Sequence, residues 1–79
     1  MNRELEKLAN IIGDVLGIDA GDITPDMEFV KDLGADSLEL FQIIIGIEGQ
    51  FDIALEEDVI ADIVTVGDAI SQIRAIAYT

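Results

Sequence analysis

The stretch FVKDLGADSLELFQIIIGIEGQF, residues 29–51, decides how this chain is read. It passes from an acidic, glycine-containing segment into an apolar run, and it sets one hydroxyl, Ser37, at the junction behind Asp36. Asp and Ser are both good N-cap residues, so a helix is predicted to start at Asp36 or Ser37 and to run to about Gln50. At about 100° per residue its apolar side chains fall into two stripes. Leu40, Ile43, Ile44, Ile47 and Phe51 form one, suited to a core. Leu38, Phe41 and Ile45 form a second, roughly 130° round and on the side of Ser37. A helix in a small bundle needs only one buried stripe. The second, bordered by Asp36, Gln42 and Glu48, has the make-up of a docking surface for a basic partner. Burial of the helix on both sides is the alternative.

Before this stretch, Leu5, Leu8, Ile12, Val15 and Leu16 recur at helical spacing and Gly17 follows as a C-terminal cap, predicting a first helix over Asn2 to Leu16. Residues 17–36 hold three glycines and the only proline, and read as a long loop with a short turn near Phe29 to Leu33. After it, the acidic segment from Glu56 to Asp62 predicts a brief helix. Thr65 with Asp68 resembles a capping box that opens a last helix, with Val66, Ala69, Ile70, Ile73 and Ala77 on one face. No strand alternation or repeat is visible. The predicted fold is all-α: a single domain over residues 1–79, a small bundle of three main helices and one short one, with a long loop between the first two.

Composition narrows the function. Seventy-nine residues leave little room for a deep, walled active site, although 51% are hydrophobic and supply an aliphatic core. Seventeen carboxylates stand against four basic residues, a formal charge of −13, which repels phosphate backbones and argues against nucleic acid. Acid on this scale steers encounter with basic proteins, and it also confers solubility. There is no cysteine, hence no disulfide framework. No signal peptide is apparent, and the apolar run Ile43 to Ile47 is too short to span a bilayer, so a cytoplasmic location without membrane insertion is expected. The acids show no calcium-loop spacing, and no metal site is expected; Glu56, Glu57, Asp58 and Asp62 read as a solvated face.

Ser37 has two readings. As an N-cap it satisfies a free amide, worth about 1 kcal/mol. As a chemical site it gains from the same place, because helix starts favour phosphate through open amides and the dipole. It is no self-activated nucleophile: the chain has no histidine and no G-x-S-x-G elbow, and Lys31 is the only nearby amine in the sequence. If Ser37 reacts, another enzyme does the chemistry, and the chain itself is expected not to be an enzyme.

The string DLGADSLEL, Asp32 to Leu40, resembles the phosphopantetheine attachment motif of acyl carrier proteins. The likeness extends over nearly the whole chain through IIGDVLGI, ITPDMEFVKDLG, EGQFDIAL and TVGDAISQI. The resemblance implies that Ser37, behind Asp36, carries 4'-phosphopantetheine, transferred from coenzyme A by a phosphopantetheinyl transferase. The arm's thiol then carries acyl intermediates as thioesters between the enzymes of a fatty-acid or dedicated acyl or polyketide pathway. It also implies a monomer whose second helix meets acyl-loading and chain-elongating enzymes with basic docking patches, through Asp36, Leu38, Glu39, Phe41, Ile45 and Glu48. Phe29, Ile47, Leu55 and Ile63 are the implied lining of an acyl cavity.

The chain departs from the family pattern where Gln42 and Gly49 replace common acids, where Phe41 and Ile45 replace Val and Met, and where Leu55-Glu56 replaces Ile-Pro. These differences point to a specialised carrier. Gly46 and Gly49 within one helix each cost about 1 kcal/mol relative to Ala, which predicts weakening toward its C-terminal end. The alternative function is an unmodified subunit of the same fold that docks through helix two.

Overall fold

The computed structural model describes residues 3–77. It contains helices α1 (Arg3–Leu16), α2 (Ser37–Phe51), α3 (Glu57–Ala61) and α4 (Val66–Ala77), with one 3-10 turn at Ala20–Asp22. Among the described residues, the β-type pairing is an isolated antiparallel bridge between Glu28 and Thr65. The all-α bundle of three long helices and one short one is as the sequence predicts; Asn2 lies outside the described residues.

Each long helix buries its periodic face. Leu8, Ala9 and Ile12 of α1, Ile43, Ile44 and Ile47 of α2, and Val66, Ala69, Ile70 and Ile73 of α4 meet in one core. Burial of each large aliphatic side chain is worth about 1.5–3 kcal/mol. Ala77, assigned to the same face of α4 by its spacing, is exposed instead, because it is the last residue of the helix and extends past the packed layer. The Lys7 ammonium stands 5.7 Å from the centre of the Phe51 ring, and Gly46 lies against Ile11. Rising numbers on α1 meet falling numbers on α2, so the two run antiparallel. Arg74 Nε donates to Glu4 Oε1 at 3.0 Å and draws the last turn of α4 to the first turn of α1.

The ends of the elements follow local chemistry. Gly17, at φ +72°, follows α1, its amide bonding Gly13 O at 2.8 Å. α2 extends one residue beyond the predicted Gln50 and stops at Asp52, in the left-handed conformation at φ 55°. It is continuous through both glycines. A Cβ on Gly46 would stand 2.7 Å from Ile11 Cγ2, so glycine there lets α1 and α2 approach closely. α3 is shorter than Glu56 to Asp62, and its N-cap, Glu56, makes no side-chain cap bond. At α4 the expected capping box is formed: Thr65 Oγ1 accepts from Asp68 N, and Asp68 Oδ2 accepts from Thr65 N, both at 3.0 Å.

Residues 17–36 are pinned across the bundle. Gly67 N and Val66 N donate to Pro25 O and Met27 O at 2.7 and 2.9 Å, and Phe29 N donates to Val64 O at 3.1 Å. Ile23, Phe29 and Ala35 are thereby carried inside. No helix among the described residues is long and apolar enough to cross a membrane.

Candidate functional site

The residues from Glu28 to Asp36 deliver Ser37 to its place. Asp32 closes the turn before α2, its Oδ2 accepting the Glu28 amide at 2.7 Å while Asp32 N and Leu33 N donate to Glu28 O at 3.0 and 3.1 Å. This is the turn expected near Phe29 to Leu33. Gly34 then takes φ +69°, a left-handed conformation that glycine adopts without steric cost. Ala35, buried, donates its amide to Phe29 O at 2.9 Å. Asp36 caps α2: its Oδ1 accepts from Glu39 N at 2.8 Å, and its own amide donates to Glu39 Oε1 at 3.1 Å. This reciprocal box resolves the predicted start of the helix. Asp36 is the N-cap, and Ser37 is the first helical residue.

Relieved of capping, the Ser37 side chain is exposed, and its hydroxyl has no hydrogen-bond partner among the described residues. The threonine hydroxyls near the loop ends differ. Thr24 Oγ1 donates to Asp26 at 2.6 Å, and Thr65 Oγ1 belongs to the α4 capping box. Around Ser37, the amides at the first two helical positions have no carbonyl a turn earlier to bond, so they face outward at the positive end of the helix dipole.

The second stripe of α2 is exposed. Leu38, Phe41 and Ile45 stand 64%, 60% and 51% accessible, which removes the alternative of a helix buried on both sides. A hollow of about 240 Å³ opens beside Ser37, lined by Ser37, Leu40, Phe41, Ile44 and Ile60. None of the four residues expected to line an acyl cavity lines this hollow. Phe29, Ile47 and Leu55 belong to the buried core and Ile63 packs against it. Ile60, on α3, was not singled out from the sequence, and no local spacing ties it to Ser37.

The three acids expected to meet partners also hold the chain itself. Asp36 and Glu39 cap α2, and Glu48 Oε2 accepts the Leu55 amide at 2.9 Å. The Asp36–Glu39 pair could have been read from the sequence, because D-x-x-E at a helix start spells a capping box. The bond from Glu48 to Leu55 leaves α2 for the segment after its end, so the helix pattern does not specify it. The cations are unevenly placed: Lys7 lies at the Phe51 end of α2 and Arg74 beside Glu4, whereas Ser37 is at the other end of a helix about 22 Å long. Along the chain around Ser37, Asp32, Asp36 and Glu39 stand against Lys31.

Residues 6–73 match a family model described as a phosphopantetheine attachment site. The chain is 42% identical over 72 residues to the acyl carrier protein of Picosynechococcus sp., covering 90% of this chain and 89% of that one. The chain belongs to the acyl carrier protein family. The acyl carrier protein of Clostridium acetobutylicum is 41% identical over 70 residues, with 89% of this chain and 91% of that one covered. A solved Mycobacterium tuberculosis structure assigned as an acyl carrier protein superposes with a TM-score of 0.85 at 39% identity, covering 91% of this chain and 96% of that one. The acyl carrier protein of Enterococcus faecalis superposes with a TM-score of 0.75 at 29% identity, with 91% of each chain covered. Membership brings a covalently attached 4'-phosphopantetheine. The start of α2 fits such a group: an exposed hydroxyl is available to bond phosphorus, outward amides favour the phosphate oxygens, and an apolar hollow adjoins it.

Proposed function

We propose that Ser37 is the attachment residue and that the protein works as a non-catalytic, single-domain, monomeric acyl carrier in fatty-acid synthesis or a dedicated acyl or polyketide pathway. The observation that carries this reading is the unbonded Ser37 hydroxyl, exposed at the first position of α2 between outward amides and an apolar hollow. When bound, 4'-phosphopantetheine supplies a thiol on a flexible arm, on which acyl groups ride as thioesters.

The chain's own residues prepare the attachment. Asp36 and Glu39 fix the first turn, so that Ser37 is held exposed at the first helical position. The base that takes the Ser37 proton comes from the phosphopantetheinyl transferase, since the chain holds no histidine. Leu38, Phe41 and Ile45 give that enzyme, and the acyl-loading and chain-elongating enzymes after it, an apolar contact, while the surrounding acid steers basic patches toward it. Cargo on the arm meets Leu40, Phe41, Ile44 and Ile60 first, and reaches Phe29, Ile47, Leu55 and Ile63 only by entering the core.

Intact-protein mass measured before and after incubation with coenzyme A, magnesium and a broad-specificity phosphopantetheinyl transferase tests the proposal. One phosphopantetheine is expected on the wild type and none on Ser37→Ala. Addition to Ser37→Ala moves the site elsewhere. No addition to the wild type with several transferases favours the second reading, an unmodified subunit docking through the exposed strip, which does not depend on attachment.

A further inference from the structure

The hollow beside Ser37 owes one wall to α3, and α3 has little of its own to hold it. It is five residues long, its N-cap makes no side-chain bond, and it contributes no fully buried side chain. Val59 and Ile60 pack, partly buried, against the core, and hydrogen bonds fix the flanks of α3. On the C-terminal side, Asp68 Oδ2 accepts the amides of Val64 and Thr65, both at 3.0 Å. On the N-terminal side, Glu48 reaches from the last turns of α2. Its carbonyl accepts from Asp52 N and from Ile53 N, the latter at 3.2 Å, and its Oε2 accepts from Leu55 N at 2.9 Å. Leu55 is buried, and five residues later Ile60 lines the hollow.

We infer that Glu48 is a positioning residue: by holding the Leu55 amide it sets where Ile60 stands over the hollow, and so the room beside whatever Ser37 carries. The inference rests on the attachment reading for its use, though not for its geometry. It assigns Glu48 a hydrogen-bonding task, in place of the partner-facing charge expected from the sequence. Acceptor and charge separate cleanly, because Gln keeps an oxygen for Leu55 N and carries no charge.

The test compares wild type with Glu48→Gln, Glu48→Ala and Glu48→Lys in the full chain. Three quantities are read: amide hydrogen exchange at Leu55, the methyl resonances of Ile60, and the initial rate of Ser37 modification with coenzyme A and transferase. Glu48→Gln is expected to keep Leu55 exchange within about twofold of wild type and to leave the Ile60 methyls in place. Glu48→Ala and Glu48→Lys should both exchange Leu55 faster by about tenfold, as for loss of a hydrogen bond to a charged group, with shifted Ile60 methyls and slower modification. A rate that falls in Glu48→Gln as far as in Glu48→Lys, with Leu55 exchange unchanged in both, makes Glu48 a docking charge and overturns the inference. Unaltered Leu55 exchange in Glu48→Ala overturns it as well. Should Glu48→Ala fail to fold, the contrast of Gln with wild type and Lys decides alone. If wild type is never modified, the attachment reading falls, while exchange and methyl shifts still judge the position of Ile60.

Discussion

Replacing the two glycines of α2 by alanine should have opposite consequences, and the contrast measures how closely α1 and α2 are packed. A glycine inside a helix costs about 1 kcal/mol relative to alanine. At Gly49 an added Cβ meets nothing within 4 Å, so Gly49→Ala should recover that full amount. For a domain of this size, 1 kcal/mol raises Tm by about 4–8 °C. At Gly46 the same methyl lands 2.7 Å from Ile11 Cγ2, about 1 Å inside a comfortable carbon–carbon contact. Ile11 is β-branched and its χ1 is stiff in a helix, so Cγ2 cannot swing aside alone. The helices must separate or tilt, and overpacking of this kind costs about 1–3 kcal/mol. Gly46→Ala is therefore expected to be neutral or up to about 2 kcal/mol destabilised, despite its better propensity. Urea and thermal unfolding of wild type, both single variants, Ile11→Ala and the Ile11→Ala/Gly46→Ala double variant would measure it. The double variant should recover at least about 1 kcal/mol of coupling, since Cγ2 is gone. A Gly46→Ala protein as stabilised as Gly49→Ala, with no coupling to Ile11, would refute the close approach.

Three other outcomes are expected. Phe41→Ala and Ile45→Ala remove exposed side chains, so unfolding free energies should stay within about 0.5 kcal/mol of wild type; the transferase rate should fall by roughly tenfold, as at an interface anchor, and unchanged kinetics would place docking elsewhere. Hydrogen bonds from the Thr65 and then the Val64 backbone amides hold the Asp68 carboxyl below the usual carboxylate range. A depressed folded value gives stability that is present above the unfolded value and is lost as pH falls through the folded one. The Tm deficit of Asp68→Ala should therefore be largest near neutral pH and shrink below about pH 4; a deficit independent of pH would contradict the charge-assisted cap. Finally, moderate salt or magnesium should raise Tm by screening a net charge of −13, and a flat salt series would mean that the acids are already well separated.

Much of this protein follows from local rules. The 3.6-residue spacing of α1, α2 and α4, the Gly17 cap, the Thr65–Asp68 box and the turn before α2 are each specified by neighbours within a few positions, and each forms as expected. The two-striped pattern of α2 is likewise local, because angular spacing on a helix needs no tertiary information. Sequence could not decide whether the second stripe is covered. That depends on how few elements surround α2, and only packing leaves Leu38, Phe41 and Ile45 open.

The DLGADSLEL string, the helices and the acidity reside in residue identity and short-range spacing, and are legible without a fold. Packing settled which acids hold the backbone, that Ile60 lines the hollow with Ser37, and that Gly46 serves helix approach while Gly49 does not. The reason is common to all of these. Each depends on a contact made outside any one helix, such as Glu48 with Leu55 beyond the end of α2, α3 with α2, or Ile11 with Gly46, and such contacts exist only once the core has fixed where each backbone lies.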